Sequence, residues 1–346
     1  MQQSIIEKVE AIREAVIGDR RSFHQYPELG WMEIRTAALV AEKLEVLGFE
    51  LKIGREVLIA EDRMGLPKAS ELEAAYARAL DQGASPLYIE GLKDGFTALI
   101  GILRCGEGPT IAMRFDMDAL PVTEAHEPGH HPFDAGFASV NSGVMHACGH
   151  DGHTAMGLGV ARVIASLKEH LKGTFKLIFQ PAEEGVRGAK AMAHSGVLDD
   201  VDYLIGAHIG IEADSSGTLH TGMHGFYATS KMDIRFKGIP SHAGIHPEGG
   251  KNALLAAATA SLQMHAIPRH SDGVTRINVG KLEAGSGRNV IPEDALMLVE
   301  TRGGNSFLNN YMVDQVTHIV KHVAALYSVD YSIDTVGYAE NASSDE

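Results

Sequence analysis

Four short apolar runs, Thr97–Leu103, Thr110–Phe115, Thr174–Phe179 and Val201–Ile209, constrain this chain more than any other feature. Each is too short to cross a membrane, which takes roughly 18 consecutive apolar residues. Each is also apolar at consecutive rather than alternate positions, so both faces of the strand are buried. Parallel strands in the middle of a layered structure read this way. Between the second and third runs, a helical pattern places Met156, Val160, Val163 and Leu167 on one face. Strands alternating with helices predict the α/β class, with helices layered on both sides of a sheet.

Upstream, Ile5, Val9, Ile12 and Val16 recur at helical spacing. A second helix carries Val40, Leu44 and Leu47 and ends at Gly48, a glycine placed to leave the helix in the left-handed conformation. Ser70-Glu71-Leu72-Glu73 reads as a capping box opening a helix that Gly83 closes. The texture changes near residue 225. There Met232, Ile234 and Phe236 alternate with Asp233, Arg235 and Lys237, the pattern of a half-exposed antiparallel strand. An Ala-rich helix over 250–266 and strands near Val274–Leu282 and Ala295–Thr301 follow. A helix with Met312, Val316, Ile319, Val323 and Leu326 and a strand near Asp330–Val336 complete the set. The order βαββαβ predicts a ferredoxin-like unit, so the chain reads as two domains of different architecture.

Composition narrows the function. The 346 residues carry 30 Lys+Arg against 45 Asp+Glu, a net charge of −15, which repels nucleic acid and anionic membranes. Values of 45% hydrophobic and 22% charged residues exclude disorder as the main state. Two cysteines, Cys105 and Cys148, make no disulfide framework and fit a reducing compartment. The N-terminal stretch lacks a basic segment followed by an apolar one. A cytoplasmic location is the expectation.

The densest chemistry is His146-Ala147-Cys148-Gly149-His150-Asp151-Gly152-His153, just before the expected helix. Three imidazoles and a thiol are soft and borderline metal donors. Cys148 and His150, two apart, share a side if the loop is extended. The same stretch would also serve as a polar helix cap with incidental histidines. Glu183 and Glu184 follow the strand ending at Phe179, where α/β folds place their sites. Adjacent side chains diverge, so one carboxylate can bind metal while the other moves protons. An acidic turn opening a helix reads identically. His208 ends another apolar run, and Asp116 and Asp118 another still; the aspartates read as partners orienting imidazoles or as turn formers. Convergence favours the chemical reading, because a parallel sheet brings such ends together. There is no G-x-S-x-G elbow or Walker A loop, and the P-C-x-x-C part of the zinc deaminase signature is absent.

The chain resembles the M20 metallopeptidase family in its amidohydrolase branch. The matching stretches are Phe23–Gly30, Met113–Leu120, Met145–His153, Phe179–Gly185, Ala207–Gly210, Ser241–Gly244 and Gly287–Pro292. The resemblance implies a three-layer α/β/α catalytic domain at 1–224 and an inserted ferredoxin-like lid and dimerisation domain at 225–337. It implies that Cys148, His150, Glu184 and His208 bind two divalent metal ions, Mn2+ or Zn2+, with Glu183 as general base. His242 would stabilise the oxyanion in a neighbouring subunit's site, and Arg288 and Asn289 would hold the substrate. The implied reaction is hydrolysis of an amide in an N-acyl amino acid, with p-aminobenzoyl-glutamate the favoured substrate. The implied assembly is a homodimer, or a heterodimer with a related subunit.

The family's catalytic domain resumes after the inserted one, with further strands and another ligating histidine. Here residues 338–346 read as a stub of that return, and no histidine follows His322. The expectation is a catalytic sheet open on one side. The alternative to an active amidohydrolase is a truncated or non-catalytic subunit that assembles with a related chain.

Overall fold

The computed structural model describes residues 2–210 and 215–345, with side chains from residue 5 onward. Two compact units divide the chain, Met1–Thr218 and Leu219–Glu346. Together they are α/β in class.

The first unit opens with α1 (Gln2–Ala11), α2 (Arg13–Gln25), α3 (Ile34–Val46), β1 (Glu50–Ile53), α4 (Ala69–Asp81) and α5 (Pro86–Ile89). It continues with β2 (Leu99–Arg104), β3 (Thr110–Asp116), α6 (His131–Asp134), α7 (His150–Leu167), β4 (Thr174–Gln180), α8 (Ala189–Ala193) and β5 (Tyr203–Gly206). The sheet order is β1-β2-β4-β3-β5. β4, β3 and β5 run parallel, whereas β2 lies antiparallel to both β1 and β4. The sequence predicts four parallel strands, and β2 departs for a covalent reason. Only residues 105–109 separate it from β3, far fewer than the dozen or more a parallel crossover needs.

The apolar runs of β2 and β4 do bury both faces, whereas β5, at the sheet edge, leaves Tyr203, Leu204 and Ile205 more than half exposed, against the expectation for the fourth run. Leu99, Leu103, Leu177 and Phe179 join Leu44 and Leu158 in one core, while Ile100, Ile102 and Ile178 join Trp31, Phe96 and Met192 in another. Each such side chain contributes about 1.5–3 kcal/mol by burial. α7 lies against the first face through Ala155, Leu158, Ala161 and Ile164, and Met156 is exposed. The buried stripe is therefore rotated from the predicted one, because small residues let the helix approach closely. At Gly157 a Cβ would stand 2.8 Å from both Phe115 and Phe179, closer than packing allows.

Other boundaries moved for local reasons. The first predicted helix is two, broken at Ile12. α4 starts earlier than its expected box: Glu71, not Glu73, accepts the backbone N–H of Lys68 at 2.8 Å. Gly48 and Gly83 have φ of +82° and +86° and end their helices as expected. β5 stops at Gly206, so His208 stands beyond the strand rather than in it.

The second unit comprises β6 (Ala228–Lys237), α9 (Ala253–His265), β7 (Thr275–Ala284), β8 (Asp294–Gly303), α10 (Ser306–Tyr327) and β9 (Asp330–Ala339). Its all-antiparallel sheet has the order β7-β8-β6-β9, the split-βαβ arrangement. Alternation decides which face is covered. Met232, Ile234 and Phe236 pack with Ala256, Met297, Met312 and Val320. Leu326, predicted on the inner face of α10, is 70% exposed, and Val320 and Ala324 are buried instead. The Asn252 side chain caps α9 by accepting the N–H of Leu255 at 3.0 Å. Among the described residues no helix is long and apolar enough to cross a membrane.

Candidate metal centre

Parallel pairing aligns Asp116 at the end of β3 with Gln180 at the end of β4, so the loops beyond them emerge together. α7 begins beside them at His150. Gly149, with φ +85°, makes a left-handed turn that L-residues resist. That turn leaves Cys148 half-buried and His150 wholly buried. After β4 the chain turns sharply, with positive φ at Ala182, Gly185 and Val186. Asp118 fixes this turn by accepting the backbone N–H of Glu183 at Oδ1 and of Glu184 at Oδ2, both at 3.0 Å.

Five side chains converge there. Cys148 Sγ lies 3.5 Å from His208 Nε2. His150 Nε2 lies 3.8 Å from Glu183 and 3.9 Å from Glu184. Donor atoms of Cys148, His150 and His208 lie within 4.8 Å of one another, as do those of His150, Glu183 and Glu184. Around them, Asp118 stands 3.4 Å from His150 Nδ1. Asp116 bonds His153 Nδ1 at 2.5 Å and Arg114 at 2.5 Å.

The electrostatics describe a site short of positive charge. Burial, with Glu184 and Glu183 nearby, pushes the Cys148 thiol up to about 12. Burial and neighbouring acids raise both Glu183 and Glu184. Burial would lower His150, but Asp118 and Asp116 hold it up at about 9. Burial would likewise raise Asp116, yet the His153 bond and the charges of Arg114 and His150 keep it well below the usual carboxylate range. Both ring nitrogens of His150 and Oε1 of Glu184 are buried without a hydrogen-bond partner, a costly state for polar atoms. Sulfur, nitrogen and oxygen donors in this arrangement suit a borderline divalent cation, which would deprotonate the thiol and satisfy Glu184 Oε1 and His150 Nε2, leaving the hydrogen on His150 Nδ1 to face Asp118. The residues fit a metal.

Not every histidine of the motif joins them. His146 is buried 6.5 Å from His24, ring centre to ring centre, and burial lowers it to about 4. Both nitrogens of His153 are engaged, by Asp116 and by the Ile209 N–H. His126-Glu127-Pro128-Gly129-His130 spells H-E-x-x-H, which binds zinc only from one helix face. Here it forms a turn, and His130 bonds Glu124 at 2.8 Å. Within the second unit, His242, Arg288 and Asn289 are all exposed. Their two loops are joined by the His242–Val290 bridge and by the Ala243 N–H donated to Asn289 O at 3.0 Å.

Known proteins share this chain's sequence and fold. Residues 112–344 match the model of peptidase family M20/M25/M40. The chain is 49% identical to one of the subunits of the p-aminobenzoyl-glutamate hydrolase of Escherichia coli, over 94% of this chain and 74% of that one. It is 48% identical to the indole-3-acetyl-aspartic acid hydrolase of Enterobacter agglomerans, over 93% and 74%. Its fold superposes on the aminobenzoyl-glutamate utilization protein of Klebsiella pneumoniae with a TM-score of 0.86 and 42% identity, covering 98% of this chain and 79% of that one. Fold, converging donors and sequence lead to one conclusion: the chain belongs to peptidase family M20/M25/M40.

Proposed function

We propose that this protein is a metal-dependent amidohydrolase that cleaves an aromatic acyl group from an acidic amino acid, with p-aminobenzoyl-glutamate as the preferred substrate. The observation that carries it is the convergence of Cys148, His150, Glu183, Glu184 and His208 at the strand ends. Support for the substrate comes from two relatives at 49% and 48% identity, each named for an aromatic acyl group joined to glutamate or aspartate.

In this reading Cys148, His150, Glu184 and His208 hold two divalent ions, Mn2+ or Zn2+. When bound, such a pair polarises a carbonyl and makes water a stronger acid. Glu183 takes a proton from the attacking water and passes it to the nitrogen of the departing glutamate as the amide bond breaks. Burial raises its proton affinity above that of an ordinary carboxylate, the direction that favours taking up a proton. Residues 225–337 act as lid and dimerisation domain. From it His242 donates to the oxyanion, and the Arg288 guanidinium and Asn289 amide hold a substrate carboxylate. The assembly is a homodimer or a heterodimer with a related chain; the Escherichia coli relative is named as one subunit of its hydrolase, which supports the latter.

The test is p-aminobenzoate release by the purified protein, alone and with a related partner chain, after chelation and after return of Mn2+ or Zn2+. Turnover that follows metal loading is expected, with a higher kcat/KM for p-aminobenzoyl-glutamate than for indole-3-acetyl-aspartate. Glu183→Ala abolishes turnover and leaves metal bound, whereas His208→Ala loses metal. Full metal loading without hydrolysis in either assembly would overturn the reading.

A further inference from the structure

We propose that Glu33 is a positioning residue for Glu183, acting through the backbone N–H of Ala182. The proposal rests on Glu183 being the general base. Glu33 stands just before α3, where a carboxylate can interact favourably with the free N–H groups of the helix. Here Glu28 does so instead, accepting the N–H groups of Arg35 at 3.0 Å and Thr36 at 2.8 Å. The Glu33 carboxyl is left to reach a segment 149 residues away, where Oε1 accepts the Ala182 N–H at 2.7 Å. Its Oε2 is 2.6 Å from the Thr97 hydroxyl. Both Glu33 and Thr97 are 0% exposed.

A carboxyl in that position is costly. Burial, and Asp118 nearby, raise Glu33 to about 8, and no ion pair offsets the cost among the described residues. An apolar side chain would fill the space at less expense. What the carboxyl adds is an acceptor under the turn that carries the catalytic pair. Ala182 has φ +49°, a conformation that costs a residue with a Cβ about 1–2 kcal/mol. Strain of this kind persists where the surroundings over-determine it. Three successive N–H groups do so here: Ala182 on Glu33, and Glu183 and Glu184 on Asp118. Removing the first lets Ala182 relax toward negative φ, and the peptide leading into Glu183 turns with it.

Four variants of the full, metal-loaded protein test this with p-aminobenzoyl-glutamate. Glu33→Met keeps the volume and removes the acceptor; kcat falls about tenfold or more, as displaced catalytic groups do, while KM and metal content stay within twofold. Glu33→Gln offers an oxygen to Ala182 and an amide to Thr97, and recovers kcat to within about threefold. Thr97→Val strips a bond from the same buried carboxyl without touching Ala182; it lowers Tm and leaves kcat within twofold. Unchanged kcat in Glu33→Met, an equal kcat loss in Thr97→Val, or no recovery in Glu33→Gln each overturns the proposal. Glu183→Ala separates it from the reading beneath it. Turnover in that variant removes Glu183 as base, whereas its inactivity beside a fully active Glu33→Met removes only Glu33.

Discussion

Asp116 Oδ1 lies 2.5 Å from Nδ1 of the buried His153, and this one contact sets what the other ring nitrogen does. With the hydrogen on Nδ1, Nε2 carries a lone pair and accepts the N–H of Ile209 at 2.9 Å. Ile209 follows His208, so a carboxylate on β3 is linked through an imidazole on α7 to the backbone that presents His208. Partners of this kind orient metal ligands.

His153→Phe fills the same space and breaks both bonds. Metal affinity, read by competition with a chromophoric chelator, is expected to weaken about 10- to 100-fold, with turnover recovering at saturating metal. An unaltered affinity would mean that the loop after β5 holds His208 unaided.

Asp118→Asn tests the turn itself. One oxygen still meets the N–H of Glu183 or Glu184, but the new amide points a donor at the other, now 3.0 Å from an oxygen. An unpaired buried donor costs about 1–3 kcal/mol. For a unit of this size that lowers Tm by about 2–4 °C per kcal/mol, and kcat falls with it. A variant that melts with the parent would show that the turn needs neither bond.

Much of this was readable because it is local. The apolar runs of β2 and β4 announce strands buried on both faces, although the same signal in β5 falls on an exposed edge strand, and the β6 alternation Met232, Ile234, Phe236 announces one covered face. That Cys148, His150, Glu183, Glu184 and His208 meet follows from parallel strands ending together. What failed locally was decided elsewhere in the chain. The direction of β2 depends on the short 105–109 link and on β4, its partner through Leu99–Phe179. The buried stripe of α7 is set by close approach at Gly157, not by its larger residues. Glu33 carries no local signal of its role, and only folding reveals its partner in a turn 149 residues on. The same holds for His146, indistinguishable in sequence from His150 yet buried beside His24.

Gly149→Ala probes the left-handed turn between Cys148 and His150. A Cβ there would meet nothing nearer than Ile209 Cβ at 3.8 Å, so the cost is backbone strain alone, about 1–2 kcal/mol. Thermal melts should show that loss in the metal-free protein. Metal binding should weaken as well, since relaxing the turn moves Cys148 relative to His150. Equal melting of variant and parent would mean that the turn tolerates a side chain.

The last prediction concerns His24, whose Nδ1 is 2.8 Å from Asp151 and whose Nε2 is 2.9 Å from Glu124. Arg20 also bonds Asp151, at 2.7 Å, and His130 also bonds Glu124, at 2.8 Å. Burial lowers His24, but the Asp151 and Glu124 hydrogen bonds outweigh it and the imidazole is raised from 6.5. A raised folded value means that the stabilisation is complete below the unfolded value, near 6.5, and disappears as pH climbs through the folded one. Glu124 and Asp151 are lowered from 4.5 and 3.8 despite burial, so their share is lost in the opposite direction, as pH falls. The network is therefore strongest between those limbs. In the metal-loaded protein, where His150 is engaged, Tm should decline as pH rises above 6.5. His24→Gln, which does not titrate there, should flatten that limb while lowering Tm at about pH 6. Parallel curves for the two proteins would show that His24 stays neutral between its carboxylates.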